Sequence, residues 1–343
     1  MKKTWKKLVS LTMALLMLCG TVTACGNTKD TDKQKEPVAQ ETPEEAKVLK
    51  VLTLGHSLAL DSGFMINLVC GAEGVGDYEE VIIGTLYYTG CSLSKHVKFM
   101  QEDSTEYQLH ISSSKTPDEP PKIMYQIDMR SAVIYDYWDI VVMQDGVFEI
   151  AQSSSYTLGN AQTLQKFIEE HKLNTSVRYA WHMTWVAPTD NTLRDKYPYE
   201  PNTYYSNYER YNHDRTTVYN AVTKCVKDHV TTDKSFDFII PSATAFENAL
   251  SSYLEETDLH RDFVHATDLG RVIAAYTWYC KLLGIDKLEE IKLSAIPVKF
   301  LNSTKSESDI VLTDMEKNVI LESVNNALKK PLEMTQSQYT QAQ

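Results

Sequence analysis

The chain has 343 residues, of which 43% are hydrophobic and 23% are charged, with 13 glycines and 11 prolines. This composition excludes collagen-like, low-complexity and wholly disordered chains. The formal net charge is −12, and the first 24 residues hold four lysines and no acid, so that 30 of the 34 basic residues face 46 acidic ones in the rest of the chain. Because binding to phosphates requires clustered lysine and arginine, this balance argues against a nucleic-acid partner.

The N-terminus has the pattern of a targeting segment. Four lysines within the first seven residues precede an apolar run over 8–18 and a stretch of small residues. This order is typical of a secretory signal, and the run is shorter than the about 20 residues that a membrane-spanning helix needs. The motif VTAC at 22–25 also resembles a bacterial lipobox, whose cysteine is acylated. We predict a lipoprotein signal peptide over 1–24 and a membrane anchor on Cys25, outside the cytoplasm; a plain signal peptide is the alternative.

Composition divides the rest of the chain into three parts. Residues 26–47 are polar and charged and hold almost no large apolar side chain. With the anchor cysteine, we expect residues 25–47 to form a flexible tether, which would span roughly 25 Å as a random coil. A single domain is predicted over 48–330, followed by a polar C-terminal tail over 331–343.

Short apolar runs alternate with segments of helical period along the predicted domain. This alternation is typical of a parallel sheet covered by helices on both faces. The runs predict strands at 48–54, 80–87, 138–144, 176–185 and 236–240. Helices are predicted near 62–73, 122–134, 157–172, 206–229, 243–253 and 267–283. A last helix is predicted from Thr313, where Thr313 and Glu316 form a capping box, to a stop at Pro331.

Four cysteines follow Cys25 without a C-x-x-C pair. They are Cys70, Cys91, Cys225 and Cys280. Their wide spacing argues against a zinc ribbon. An oxidising compartment permits disulfides, but we predict buried free thiols.

In open α/β sheets, functional groups gather at the carboxyl ends of the strands. The residues at the ends of the first four predicted strands, or directly after them, are Gly55-His56-Ser57, Gly90, Gln144-Asp145, and His182 with Trp185. Downstream, Asp262 and His265 stand three residues apart at a predicted helix start. A nucleophilic serine needs a base, and the base needs an orienting group. Ser57, His265 and Asp262 therefore form a candidate catalytic triad.

On these motifs the chain resembles the SGNH (GDSL-type) hydrolases, and more closely a largely uncharacterised bacterial lipoprotein branch of that superfamily. The matching stretches are LGHSLALD, YYTGCSLSKH, YWDIVVMQDG, WHMTW and RDFVHATDLGR. The resemblance covers about 48–283. It implies a flavodoxin-like three-layer α/β/α sandwich with a five-stranded parallel sheet. It also implies hydrolysis of an ester, often acetyl on a carbohydrate, without a metal or an organic cofactor.

The resemblance also implies roles for individual residues. Ser57 would be the nucleophile, His265 the base and Asp262 its orienting partner, and the backbone N–H groups of Ser57 and Gly90 would bind the oxyanion. Two positions depart from the family pattern. His56 stands where an aspartate or asparagine is usual, and Gln144 stands where an asparagine is usual.

A Gln144 amide can still donate to an oxyanion, although its longer side chain moves the donor. Asp145, His56, His182 and Trp185 complete the candidate binding residues. The predicted function is that of an extracytoplasmic, lipid-anchored serine esterase. It would act on an acyl ester, above all an O-acetyl group, of a glycan or a small molecule.

Several of these residues have alternative interpretations. Asp262 can be a helix cap, and His260, Asp262 and His265 suggest a metal site that lacks a third strong ligand at a telling spacing. His182 can line a pocket or pack in the core, and His96 is expected to be structural. The tyrosine-rich segment 197–211 can stack on sugars or cover the sheet. A glycan- or solute-binding lipoprotein and a structural surface lipoprotein are the alternatives to an enzyme.

Overall fold

The computed structural model describes residues 47–188, 211, 214–301 and 308–341. The predicted signal peptide, the lipobox, the tether up to residue 46 and, except for Tyr211, the tyrosine-rich segment lie outside the described residues. No helix within the described ranges is both long enough and apolar enough to span a bilayer.

A central sheet organises the domain. Its strands in the described part of the chain are β1 (Val48–Gly55), β2 (Glu80–Tyr87), β3 (Tyr107–Ser113), β4 (Lys122–Ile127), β5 (Ile140–Met143), β6 (Arg178–His182) and β7 (Phe238–Ile240). Their spatial order is β4-β3-β2-β1-β5-β6-β7. The strands β2, β1, β5, β6 and β7 run parallel, whereas β3 and β4 are antiparallel to their neighbours. The five predicted parallel strands are confirmed, and the sheet has two more strands than predicted.

The additional strands correct one helix prediction. Residues 122–134 were expected to be helical, but β4 occupies the first half, and only the short helix α3 (Met129–Val133) follows. Asp128 separates the two elements, because its carboxylate caps the helix by accepting from the Ser131 N–H at 2.7 Å. The strand β4 lies at the sheet edge and exposes Tyr125. It therefore lacks the continuous apolar run that marks a strand buried on both faces.

Helices cover both faces of the sheet. The longer ones are α1 (Ser57–Glu73), α2 (Leu93–Gln101), α5 (Asn160–His171), α6 (Arg215–Cys225), α7 (Ser242–Leu250), α9 (Asp268–Leu283) and α10 (Asp314–Lys329). Two further short helices are α4 (Ser153–Thr157) and α8 (Glu256–Leu259). A π-helical turn (Val226–Val230) continues α6. A 3₁₀ turn (Val298–Phe300) and a small antiparallel ribbon of β8 (Ala295–Ile296) and β9 (Ile310–Val311) precede α10.

Two hydrophobic cores confirm the α/β/α sandwich. Leu49 and Val51 of β1 pack into the core that contains α1, α7, α9 and α10. The alternate residues Leu52 and Leu54 pack into the core that contains α2, α5 and α6. Since side chains alternate across a strand, β1 has to be apolar on both faces, which explains why its sequence is mostly hydrophobic. The four predicted free thiols are buried and unpaired.

The C-terminal helix α10 begins at the predicted cap. The Thr313 hydroxyl accepts from the Glu316 N–H at 3.1 Å, and the Glu316 carboxylate accepts from the Thr313 N–H at 2.7 Å, so the predicted capping box is confirmed. Residues 331–341 then run back along the domain. The Tyr253 N–H donates to the Tyr339 carbonyl at 2.8 Å, which fixes the end of this segment beside α7.

Candidate active site

Three side chains that are far apart in the sequence form a hydrogen-bonded line at the carboxyl end of β1. Ser57 is the first residue of α1, and its Oγ lies 2.8 Å from His265 Nε2. The other ring nitrogen of His265, Nδ1, lies 2.8 Å from Asp262 Oδ2. The side chains of His265 and Asp262 are 24% and 16% exposed. The structure thus brings the serine, the imidazole and the carboxylate together in a partly open site.

The Asp262 carboxylate is held as an anion. Its Oδ1 accepts backbone N–H groups from Val264 at 2.9 Å and from His265 at 2.7 Å. Burial raises the pKa of Asp262, but the hydrogen bonds and the positive charge of His265 outweigh burial and hold that pKa below its usual value. An ionised carboxylate on Nδ1 fixes the tautomer in which His265 Nε2 can accept the serine proton.

Asp262 lies in a loop and not at a helix start, which corrects the capping hypothesis. The helix α9 begins at Asp268, and the Thr267 hydroxyl caps it by accepting from the Gly270 N–H at 3.1 Å. An isolated bridge between His260 and Ala266 closes the loop. The loop that carries the base is therefore a short, closed segment before α9.

Asp61 fastens this loop to the helix that carries the serine. It lies one turn after Ser57 on α1, is 6% exposed, and its Oδ2 accepts from the Ala266 N–H at 3.2 Å. Arg261 Nη1 donates to Asp61 Oδ1 at 3.1 Å, and Arg271 Nε lies 3.7 Å from the same oxygen. Sequence analysis missed Asp61, although its i+4 spacing from Ser57 places both residues on one helix face.

His56 braces the turn before the serine. Its Nδ1 accepts from the Leu58 N–H at 3.3 Å, and its Nε2 donates to the Asp145 carbonyl at 3.1 Å. Burial lowers the pKa of His56 to about 4, with a smaller contribution from the charge of His265, while the bond to Asp145 opposes the shift. The imidazole is therefore neutral at pH 7, and it ties the end of β1 to the segment after β5.

The side chain of Asp145 has a structural position. It is 1% exposed, and its carboxylate accepts from the backbone N–H groups of Leu93 at 3.1 Å and Gly146 at 2.9 Å, and from the Ser155 hydroxyl. Burial raises its pKa, and these three hydrogen bonds oppose the rise. Asp145 thus secures the start of α2 instead of facing the cleft.

The Gln144 amide is held through its oxygen. His182 Nδ1 lies 2.8 Å from Gln144 Oε1, and His182 Nε2 lies 3.0 Å from the Ser242 hydroxyl. Within the described residues, the buried Gln144 Nε2 has no hydrogen-bond partner. A Cβ on Gly55 would lie 3.3 Å from this nitrogen and 2.6 Å from the Ala59 Cβ, so a glycine is needed there. The amide therefore reaches the backbone of the turn before Ser57.

His182 and Trp185 lie in the core behind the site. His182 is 1% exposed, and its ring packs edge-on against Trp278. Trp185 is fully buried, and its Nε1 donates to the Val264 carbonyl at 2.8 Å. Trp185 therefore supports the loop that carries His265.

Gly90 lies in an exposed turn before α2. Its φ of +57° is in the left-handed region, which glycine adopts without strain. A Cβ at this position would meet no atom within 4 Å, so the backbone conformation and not the available space favours glycine.

His260 points away from the candidate triad. Its two ring nitrogens each lie 3.1 Å from a backbone carbonyl oxygen, of Glu256 and of Val186, and the side chain is buried. Among the residues that the structure describes, no three His, Cys, Asp or Glu side chains form a group that could hold a metal ion. His96 is also buried, with its Nδ1 2.8 Å from the Tyr107 hydroxyl.

Residues 50–303 match the family described as domain of unknown function DUF4886, and the chain belongs to that family. The fold is similar to the crystal structure of a DUF4886 family protein from Bacteroides uniformis, with a TM-score of 0.67 and 22% identity over 84% of this chain and 98% of that one. No functionally curated protein gives a significant match.

Two other solved structures are more distant. A candidate SGNH hydrolase from Slackia heliotrinireducens matches with a TM-score of 0.41 and 15% identity, over 68% of this chain and 98% of that one. A gut microbial diltiazem-metabolizing enzyme matches with a TM-score of 0.37 and 13% identity, over 72% of this chain and 49% of that one.

Proposed function

We propose that this DUF4886 protein is a serine hydrolase that cleaves an acyl ester. The observation that carries the proposal is the 2.8 Å contact between Ser57 Oγ and His265 Nε2, with Asp262 at 2.8 Å from the other ring nitrogen. A nucleophile, a base and an orienting carboxylate in hydrogen-bonding sequence are the arrangement that activates a serine hydroxyl. The sequence resemblance to SGNH hydrolases supports the same reaction.

The triad residues perform the reaction in two stages. Ser57 Oγ attacks the ester carbonyl carbon while its proton moves to His265 Nε2, and Asp262 stabilises the resulting imidazolium. When the tetrahedral intermediate collapses, the bond to the alcohol oxygen breaks, and His265 returns the proton to that oxygen. A water molecule then attacks the acyl-enzyme with His265 as base, which releases the acid and restores Ser57.

We assign three hydrogen-bond donors to the oxyanion. Ser57 is the first residue of α1, so its backbone N–H has no intrahelical partner. Gly90 supplies a second backbone N–H from its exposed left-handed turn. The third donor is Gln144 Nε2, whose orientation is fixed because His182 holds the oxygen of the same amide. No metal or organic cofactor takes part in this mechanism.

The finer proposal concerns substrate and location. The resemblance supports an O-acetyl group on a carbohydrate as the ester, and acetylated glycans are therefore the first natural substrates to test. The motif VTAC at 22–25 and the polar segment 26–47 support a lipid anchor on Cys25 and an extracytoplasmic location.

Hydrolysis of p-nitrophenyl acetate by residues 26–343 tests the proposal. We expect Ser57-dependent turnover, lost by at least about 10⁴-fold in Ser57→Ala and His265→Ala. The surface offers a matched control, because Ser153 Oγ also lies 2.8 Å from a histidine nitrogen, Nε2 of His229. Ser153→Ala should keep wild-type activity. A folded wild type without turnover would contradict the esterase and favour a glycan- or solute-binding protein.

A further inference from the structure

The first two turns of α1 are buried except for one stripe. Over residues 57–64, the partly exposed side chains are Ser57, Leu60 and Phe64, and the others are buried. Residues three and seven positions apart lie on the same face of a helix. With a rise of about 1.5 Å per residue, Leu60 lies about 4.5 Å and Phe64 about 10.5 Å beyond the serine along the axis. The serine therefore stands at one end of an open apolar stripe.

An apolar groove of about 270 Å³ lies along this stripe. One wall is α1, with Leu60, Gly63 and Phe64. The other wall is the sheet and the segment before β4, with Ile83 and Thr85 of β2, His110 and Ser112 of β3, Pro121, and Ile123 of β4. The antiparallel hairpin of β3 and β4 supplies much of the second wall, so the groove exists because the sheet extends beyond its parallel strands. Because the lining is mostly apolar, it suits an aliphatic group.

The base and the groove lie on opposite sides of the serine. Successive residues turn by about 100° around a helix axis, which puts Asp61 about 40° to one side of Ser57 and Leu60 about 60° to the other. Asp61 binds the loop that carries His265. Leu60 faces the groove. The alcohol oxygen of an ester must lie beside His265 to receive its proton, so the acyl group points toward the groove.

We propose that the apolar groove binds an aliphatic acyl chain longer than acetyl. The inference rests on the proposed serine hydrolase, and it puts a longer aliphatic acyl group in the place of acetyl. An acetyl group has no chain that could reach along the stripe from Ser57 to Phe64. A longer chain would follow the stripe and remove the groove surface from water.

A series of p-nitrophenyl esters, measured with the full chain, tests this inference. Each methylene that enters the groove should raise kcat/KM by about fourfold, from acetate through butyrate to hexanoate. A profile that is flat or falls from acetate overturns the inference but leaves the proposed function intact. A benzoate ester that is cleaved faster than the hexanoate overturns the aliphatic assignment. The absence of Ser57-dependent turnover on every ester overturns both proposals.

A blocking variant gives a second readout. A Cβ on Gly63 would lie 3.6 Å from Ile83 Cγ2, so Gly63→Leu places its side chain between the two walls. We expect the ratio of hexanoate to acetate kcat/KM to fall at least tenfold. Gly71→Leu is the matched control, because Gly71 lies two turns further along α1 and is exposed. An unchanged ratio in folded Gly63→Leu, or an equal loss in Gly71→Leu, overturns the inference.

A milder variant keeps the test valid if Gly63→Leu does not fold. Ile123 is 37% exposed on the edge strand β4, so its truncation removes groove wall at little cost to the core. Ile123→Ala should lower the hexanoate to acetate ratio severalfold. A ratio equal to that of the wild type in this variant overturns the assignment of the groove.

Discussion

The two sides of α1 differ in the contacts that their side chains make. On the side of Asp61, charged and polar groups bind one another, and the loop of His265 is held by ion pairs and backbone hydrogen bonds. On the side of Leu60, the wall of the groove is apolar and offers shape instead of fixed hydrogen bonds. The first side therefore positions the base beside Ser57, whereas the second side selects the acyl group that fits. Variants on the two sides should therefore fail in different ways.

The largest effect is expected for Asp262→Asn on the polar side. The amide keeps the size of the carboxylate but can present an N–H to His265 Nδ1, which favours the wrong tautomer and leaves the imidazolium without its counter-charge. We expect kcat to fall about 10³- to 10⁴-fold. Ester turnover and the rate of fluorophosphonate labelling should fall together while the circular dichroism spectrum is unchanged. A loss below tenfold would contradict the role of Asp262.

A smaller loss is expected for Gln144→Leu. This change removes the assigned third oxyanion donor, and losing one such donor typically costs about a hundredfold in kcat. The control is Ser242→Ala, which removes a partner of His182 and leaves Gln144 in place. That control should lose less than tenfold. Equal losses in both variants would show that the cluster acts through packing alone.

Acid should lower the free energy of unfolding through the protonation of His56. The folded pKa of His56 is about 4, below the unfolded value of 6.5, so between these values the unfolded chain binds a proton that the folded chain does not. The stabilisation by the neutral imidazole is complete above pH 6.5, is lost progressively as the pH falls from 6.5 to 4, and is absent below pH 4. For His56 alone, the free energy of unfolding should drop by about 2 kcal/mol from pH 7 to pH 5.

Urea midpoints at the two pH values measure this drop. His56→Asn should show a smaller difference between pH 7 and pH 5 than the wild type, even if it is less stable at both. His229→Asn, at a partly exposed histidine beside the surface residue Ser153, is the control and should keep the full drop. An equal drop in His56→Asn and the wild type would refute the buried neutral imidazole.

The smallest effect is expected for Asp61→Asn. The amide oxygen can still accept from the Ala266 N–H, but the charge that holds Arg261 and Arg271 is lost. We expect kcat to fall about tenfold with little change in KM, since a small displacement of the base weakens the transition state more than substrate binding. Asp228→Asn, at a surface pair with Lys224, should leave kcat unchanged. An effect on KM alone would contradict a positioning role.

The sequence predicted the parallel half of the fold well for a physical reason. Strands buried on both faces must be apolar along their length, and the predicted strand at 80–87 coincides with β2. The edge hairpin followed no such rule, because β3 and β4 mix polar and apolar residues. The prediction of a helix over 122–134 was therefore wrong, and the second wall of the groove could not be foreseen.

The candidate site shows the same limit. Ser57, Asp262 and His265 stood out because the reaction needs those residue types at strand ends and loops. Asp61 did not stand out, because its partners Arg261 and Ala266 lie about 200 residues further along the chain and only the fold brings them together. The amino-acid sequence also does not distinguish a side chain that is buried behind a site from one that lines the site.

Labelling of the wild type by a fluorophosphonate, followed by peptide mapping in a mass spectrometer, tests the activation of Ser57 most directly. We expect one equivalent of probe on Ser57, no labelling in Ser57→Ala, and full labelling in Ser153→Ala. A folded wild type that is not labelled, or that is labelled on Ser153 instead, would contradict an activated serine at the end of β1.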